Sequence, residues 1–309
     1  AMSGRGCCTD KGIRPELLLG NGVLWEGVFD GYSGYAKMNR ELMLRVANHL
    51  NVQVLHAIRI AGGNPTTEAR VNAHHSVRVK PHTPFLRLFG PDAKNIPDGR
   101  RRIIFTMMET EVAHPDMVSQ IHRYDELWTP TTWGAEMFKR SGVKIPIRVV
   151  PLGVDSLVYR PIPNVELPPC ELLSTSRIGE IEKPKGFLVL SVGLPSFRKG
   201  FDVLCAAFEM AFGNDPDAAL ICAVTHSRGD ASRFTPCRSL KSRVYLLDGS
   251  YDEHAMARIY SGCNAYATAS RGEGWNLPIC EAAACGIPVI CPRTTAHPAV
   301  VGNDAFIFD

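Results

Sequence analysis

Short apolar runs alternate along this chain with stretches in which apolar residues return every three or four positions. The first kind predicts buried strands and the second amphipathic helices. PELLLGNGVL (15–24) reads as a first strand, WEGVFDGYSGYA as a loop and KMNRELMLRVANHL as a helix. NVQVLHAIRI and RRIIFTMM read as strands, PDMVSQIHRY as a helix, DELWTP as a strand edge, TTWGAEMFKRSGV as a helix and IPIRVVPLGV as a strand. TPFLRLFG is either a short core piece or an interfacial one. This alternation predicts a parallel sheet covered by helices.

Residues near 156–183 have no period and are rich in proline and charge, which predicts a linker with little structure of its own. The alternation then restarts. FLVLSVGL, AALICAVTH, VYLLDG, AYATAS and IPVICP read as strands. GFDVLCAAFEMAF, DEHAMARIYSGC and a stretch from Pro278 to Cys285 read as helices. The fold class predicted is therefore α/β, with two Rossmann-like domains, 1–165 and 166–309. A ligand is expected in the cleft where their carboxyl strand ends face each other.

Composition narrows the function classes. With 45% hydrophobic and 21% charged residues the chain is ordinary for a globular protein, and no window approaches the roughly 18 apolar residues of a spanning helix. The start, AMSGRGCCTDKG, is polar and unlike a signal peptide, and Ala1-Met2 reads as a cloning remnant. The ten cysteines form no CxxC pair and mostly sit in apolar runs. They read as reduced thiols in a cytoplasmic setting, and no metal site is expected from their spacing. Charge changes the picture locally. Residues 1–170 hold 21 Lys/Arg against 16 Asp/Glu, and the rest 13 against 15. Arg70, Arg78, Lys80, Arg87, Lys94, Arg100, Arg101 and Arg102 crowd one segment. That segment is either a solvated loop or a surface for an anionic acceptor or a membrane, which would make the protein peripheral to it.

The chemistry concentrates in RGEGWNLPICEAAACGIPVICP (271–292). Gly272 and Gly274 let a ligand approach the main chain. Pro278 suits a helix start and Gly286 a stop. The amino end of that helix offers free N–H groups and partial positive charge. Glu273 on the loop and Glu281 one turn inside the helix can face one pocket and accept hydrogen bonds from sugar hydroxyls.

This stretch resembles the E-x7-E motif of retaining glycosyltransferases of the GT-B fold, the large family 4-like group. GYSGYAKMNREL resembles their glycine-rich first loop. FTMMETEVAHPDMVSQIHRYDELWTPTTWGAEMFKRSGV, followed by VVPLGVDSLVYRP, resembles their N-domain signature. LSVGLPSFRKGFDVLCAAF resembles the opening of their second domain. The resemblance implies that Glu281 holds the ribose of a nucleotide and Glu273 lies by the donor sugar. Gly274, Trp275, Asn276 and Leu277 would contact sugar and phosphate through their backbone. Arg198 and Lys199 would take the diphosphate, where positive charge must absorb the charge that develops on the leaving group. No Asp-x-Asp metal motif stands in a plausible place, so neither cofactor nor metal is expected beyond a UDP-, GDP- or other nucleotide-sugar donor. A basic residue frequent in the family is Leu194 here, which puts more weight on Arg198 and Lys199.

The resemblance also implies that Gly31, Tyr32, Ser33 and Gly34 close over the donor phosphates and acceptor. Glu109 is expected on the acceptor side, and His114 either there or in an ordinary loop. No residue is expected to act as general base or nucleophile. The usual proposal for this fold is same-face attack with the leaving phosphate accepting the proton, so catalysis is positioning and charge stabilisation. Relatives run on past the equivalent of Phe308-Asp309 with crossover helices that are not seen here. The acceptor stays open among glycan, lipid phosphate and modified nucleic acid. The competing readings are a non-catalytic nucleotide-sugar-binding subunit of a larger transferase, and an isomerase or phosphorylase of the same architecture.

Overall fold

A computed structural model of the chain describes residues 21–30, 33–55, 65–91, 96–172, 177–179, 186–224, 243–302 and 305–309. Gly31, Tyr32, Lys94 and three of the ten cysteines, Cys7, Cys8 and Cys237, lie outside the described residues. The chain divides into two compact units, Ala1–Leu152 and Gly153–Asp309.

In the first unit the described strands are β1 (Gly22–Gly27), β2 (Asn51–Val54), β3 (Phe85–Leu88), β4 (Arg102–Phe105), β5 (Glu126–Thr129) and β6 (Ile147–Val149). They form a parallel sheet in the order β2-β1-β3-β4-β5-β6. Helices α1 (Gly34–Val46), α2 (Pro65–Ala73), α3 (Pro115–Ile121) and α4 (Thr132–Arg140) connect them. The core joins Phe85, Ile104, Leu127, Met137 and Phe138. TPFLRLFG thus resolves as a core strand: Phe85, Leu86 and Leu88 are buried between β1 and β4. α1 begins at Gly34, three positions before the predicted Lys37, because the Ser33 hydroxyl accepts from Ala36 N (3.2 Å) and caps it there.

Much of the basic segment gathers at the amino ends of these strands. A ring nitrogen of His82 meets Gly99 O (3.3 Å), and Arg100 donates to Thr83 O (3.3 Å). Arg102 grips Asp125 (2.7 and 3.2 Å), and Arg101 and Arg148 share the buried Glu126. Ligand crevices of parallel sheets open at the carboxyl ends. Arg100, Arg101 and Arg102 therefore stand at the opposite edge of their own sheet.

The second unit has strands β7 (Cys170–Leu172), β8 (Arg177–Gly179), β9 (Phe187–Val192), β10 (Ala218–Val224), β11 (Arg243–Asp248), β12 (Ala265–Ala267), β13 (Val289–Pro292) and β14 (Phe306–Phe308). Their order is β14-β13-β12-β9-β10-β11-β7-β8. All neighbours are parallel except β7 against β11 and β8 against β7. Helices α5 (Phe201–Phe212), α6 (Glu253–Ser261), α7 (Leu277–Ala284) and α8 (His297–Val301) belong to this unit. Every residue of β10, AALICAV, is buried, as a strand covered on both faces requires. Val189, Phe201, Phe208, Leu220 and Val244 pack into its core.

Two expectations change here. The stretch 156–183 is not structureless, since it carries β7 and β8. The division between units also falls earlier than the 165/166 boundary drawn from composition. The segment after β6 packs on the second unit: Ile162 N donates to Ser261 Oγ (3.2 Å), Ser261 Oγ donates to Arg160 O (3.2 Å), and Tyr159 lies edge-on to Tyr260.

Candidate functional site

In the second unit the strand order reverses at β9, which has β10 on one side and β12 on the other. A doubly wound sheet opens its binding crevice at such a point, past the carboxyl ends of the two strands. The loop after β9 carries Arg198 and Lys199, and the loop after β12 carries Glu273. The fold brings these three side chains together although 74 positions separate Lys199 from Glu273.

Lys199 Nζ donates to Glu273 Oε1 (2.6 Å), as does Ser270 Oγ (2.8 Å), and Arg198 stands 2.9 Å from Oε2. The Glu273 side chain is only 7% exposed, against 14% for that of Lys199 and 36% for that of Arg198. Burial alone would raise its pKa; the Lys199 ammonium and Arg198 guanidinium outweigh burial and hold it below the usual carboxylate range. The carboxylate is therefore ionised at neutral pH, and the three groups together carry one net positive charge.

The backbone fixes this geometry. Phe197–Lys199 form a single 3-10 turn, closed by Gly200 at φ 65°. Arg271 N donates to Arg198 O (2.7 Å), and Arg198 donates to Gly272 O (2.8 Å). Arg271 itself pairs with both oxygens of Asp202 (3.0 and 2.7 Å) and stacks on Phe197 (3.8 Å). Glu273 N donates to Thr295 Oγ1 (2.9 Å), and Glu273 O accepts from Ala296 N (3.2 Å).

Gly274, Trp275 and Asn276 are buried and Leu277 is half-buried. Asn276 precedes α7 at φ 75°, so the helix starts at Leu277, one residue before Pro278. Beneath it lies His297, fully buried. One ring nitrogen, Nδ1, is 2.9 Å from Thr294 O, and the other, Nε2, is 3.2 Å from Asn276 Nδ2. A carbonyl demands a donor and an amide nitrogen an acceptor, which assigns the neutral Nδ1–H tautomer. Burial favours the same neutral form and lowers the His297 pKa. Trp275 Nε1 and Asn276 Oδ1 are buried without a protein hydrogen-bond partner.

The titration of His297 has a checkable sign. Below its ordinary value of 6.5 the unfolded chain takes up a proton that folded His297 refuses, so falling pH favours unfolding. Stability should decline as pH drops through 6.5, by at most about 1.4 kcal/mol per pH unit for one proton. Chemical unfolding of wild type and His297→Gln at pH 7.5 and 5.5 (chosen as ~1 unit either side of this value) should show the smaller decline in the variant.

Glu281 faces differently from Glu273. It is 6% exposed, and its Oε2 accepts from Tyr260 OH (2.8 Å). A hydrogen bond to Glu281 also acts on Tyr159, whose pKa is raised first by burial and then by that charge. Both glutamates raise the pKa of the buried Tyr266 phenol, after burial itself, so both act at one hydroxyl. Ser270, Thr295, His297, Tyr260 and Tyr159 complete this cluster without any signal in the sequence pattern.

In the first unit Ser33 caps α1 and Gly34 is its first residue. The neighbouring Tyr35 ties this start to the loop after β4: its hydroxyl donates to Met107 O (3.3 Å) and accepts from Met107 N (3.3 Å). Burial raises the Tyr35 pKa, and the charge of half-buried Glu109 adds to this. Glu109 thus acts on the phenol of the residue that follows Gly34. His114 caps α3, accepting from Asp116 N (3.3 Å), with its side chain 73% exposed.

Comparison with known proteins finds likeness in a stretch of sequence and in the fold. Residues 186–309 match the family model of glycosyl transferases group 1. The fold is that of the GT-B glycosyltransferases. Anabaena HepE in complex with UDP-glucose superposes with TM-score 0.67 at 15% identity, over 93% of this chain and 85% of that one. Sucrose-phosphate synthase from Thermosynechococcus elongatus gives 0.65 at 18% identity, over the same shares. Among curated sequences, O-antigen chain mannosyltransferase B of Escherichia coli is 34% identical over 61 residues, or 20% of this chain. Mannosylfructose-phosphate synthase of Agrobacterium fabrum is 28% identical over 114 residues, or 34% of this chain. The matched segments span 16% and 25% of those two proteins. Among the described residues no helix is long and apolar enough to cross a membrane.

Proposed function

We propose that the protein is a glycosyltransferase that moves a sugar from a nucleoside diphosphate sugar to an acceptor with retention of configuration. The observation that carries this reading is the Lys199–Glu273–Arg198 cluster at the reversal point of the second sheet, beside the start of α7. Lys199 has further N–H donors beyond the one given to Glu273, and both cations can turn them to a diphosphate. Trp275 Nε1, Asn276 Oδ1 and the first amides of α7 supply neighbouring polar groups. Glu281 takes the ribose hydroxyls, with Tyr260 fixing its orientation.

In the reaction the bond between the anomeric carbon and the diphosphate oxygen breaks, and its electron pair leaves on that oxygen. The acceptor oxygen bonds to the carbon on the same face, and its proton passes to the departing phosphate. Lys199 and Arg198 stabilise the charge that develops, which assigns to side chains the work a metal does elsewhere. The acceptor is a glycan, a lipid or a modified nucleic acid, engaged by the first unit near Ser33, Gly34 and Glu109.

Thermal unfolding with UDP, GDP, ADP and CMP tests the donor site. One nucleotide should raise the midpoint, by mass action on the folded state, and Glu281→Gln should abolish the rise. If no nucleotide of the panel stabilises the protein, the donor reading fails and a non-catalytic role takes its place.

A further inference from the structure

The donor site carries its own anion. Glu273 occupies both cations that a diphosphate would use, with contacts of 2.6 Å to Lys199 and 2.9 Å to Arg198. It is held there by Ser270 on the side chain and by Thr295 and Ala296 on the backbone. With its main chain bonded at both N–H and C=O, Glu273 keeps its carboxylate within side-chain reach of both cations when a ligand arrives. The incoming phosphates must share Lys199 and Arg198 with a resident negative charge.

We infer that Glu273 makes this site discriminate by charge, weakening the free nucleoside diphosphate more than the nucleoside diphosphate sugar and so hastening product release. The inference rests on the donor reading above. A diphosphate esterified at both ends carries roughly two negative charges. Breaking the bond to the sugar frees a terminal phosphate that first holds the acceptor's proton; its second ionisation lies near pH 6, so at neutral pH it sheds most of that proton and gains most of a third charge. That added charge forms beside Glu273, in a site sheltered from water, where repulsion between like charges is strong. The same two cations that stabilise the leaving group would otherwise retain it. A net charge of +1 rather than +2 lets the product leave while the cations still meet the transition state.

The measurement is a pair of dissociation constants by calorimetry: UDP and a non-transferable UDP-glucose phosphonate, or the matched pair for whichever base the stability screen selects. Glu273→Gln keeps an oxygen for Lys199 and Ser270 but removes the charge. It should tighten binding of the free diphosphate about tenfold or more and change the sugar analogue less. Glu273→Asp keeps the charge and should preserve the wild-type ratio, which separates charge from shape. Equal loss of affinity for both ligands in Glu273→Gln would mean that Glu273 only positions the cations, and would overturn the inference. Weaker binding of the analogue with unchanged diphosphate binding would mean that it only touches the sugar, and would overturn it too. Should Glu273→Gln fail to fold, wild type decides: it must bind the free diphosphate no more tightly than the analogue. If wild type binds neither ligand the donor reading fails; if it binds both and the ratio does not move, only the charge inference fails.

Discussion

Lys199→Ala is expected to lower turnover of a nucleoside diphosphate sugar by about two to three orders of magnitude, the usual loss when one preorganised charge-stabilising donor is removed. Lys199 is the more buried of the two cations and makes the shorter contact with Glu273, so it works in the lower dielectric. Its removal also leaves the buried carboxylate with Arg198 as its remaining cation. A stability loss of about 1–3 kcal/mol should therefore accompany the kinetic one. The two effects separate by measuring single-turnover rates well below the unfolding midpoint, alongside the midpoint itself. Arg198→Ala should show a smaller effect of the same kind. A Lys199→Ala enzyme with unchanged kcat would remove the charge-stabilisation mechanism.

Gly200→Ala should be the most destabilising small change near the site. Gly200 sits at φ 65°, and a Cβ built on it lies 2.0 Å from the carbonyl oxygen of Ala269. The conformation alone costs about 1–2 kcal/mol for a residue with a side chain. The clash is with backbone, so relief requires the β9 and β12 loops to move apart. A total of about 3–5 kcal/mol is expected, with loss of nucleotide binding, since the same two loops hold Lys199 and Glu273. Gly99→Ala is the control. It has φ 72° and nothing within 4 Å of the added Cβ, so it should show the conformational part alone. Urea unfolding of the two variants reads the difference directly.

The residues themselves explain which parts were legible beforehand. β9, β10 and α5 were plain because each is long and apolar enough for its period to show. β3 was ambiguous because four residues flanked by prolines and interrupted by Arg87 give no period. β7, β8 and β14 are three residues each, and their strand character comes from pairing with neighbours, which a local pattern does not record. Glu273, Glu281, Arg198 and Lys199 stood out as motif residues. That Glu273 would pair with both basic residues depends on two loops meeting across the sheet. His297 was invisible for the same reason: a histidine in TTAHP has no periodicity, and only the fold places it under Asn276.

Tyr159 bears on how this protein should be cut. It precedes the boundary suggested by composition, yet it is buried against Tyr260 and acts on Glu281. A fragment that begins at Glu166 would lose the Tyr159 side chain and open the Tyr260–Glu281 bond to water. A fragment that begins at Gly153 keeps both, together with Pro161, which packs beside Gly286 at the end of α7. Dissection of the two halves, for crystallisation or for separate binding measurements, therefore belongs at the Leu152–Gly153 bond. The proline-rich stretch that invites the scissors is part of the wall of the second half.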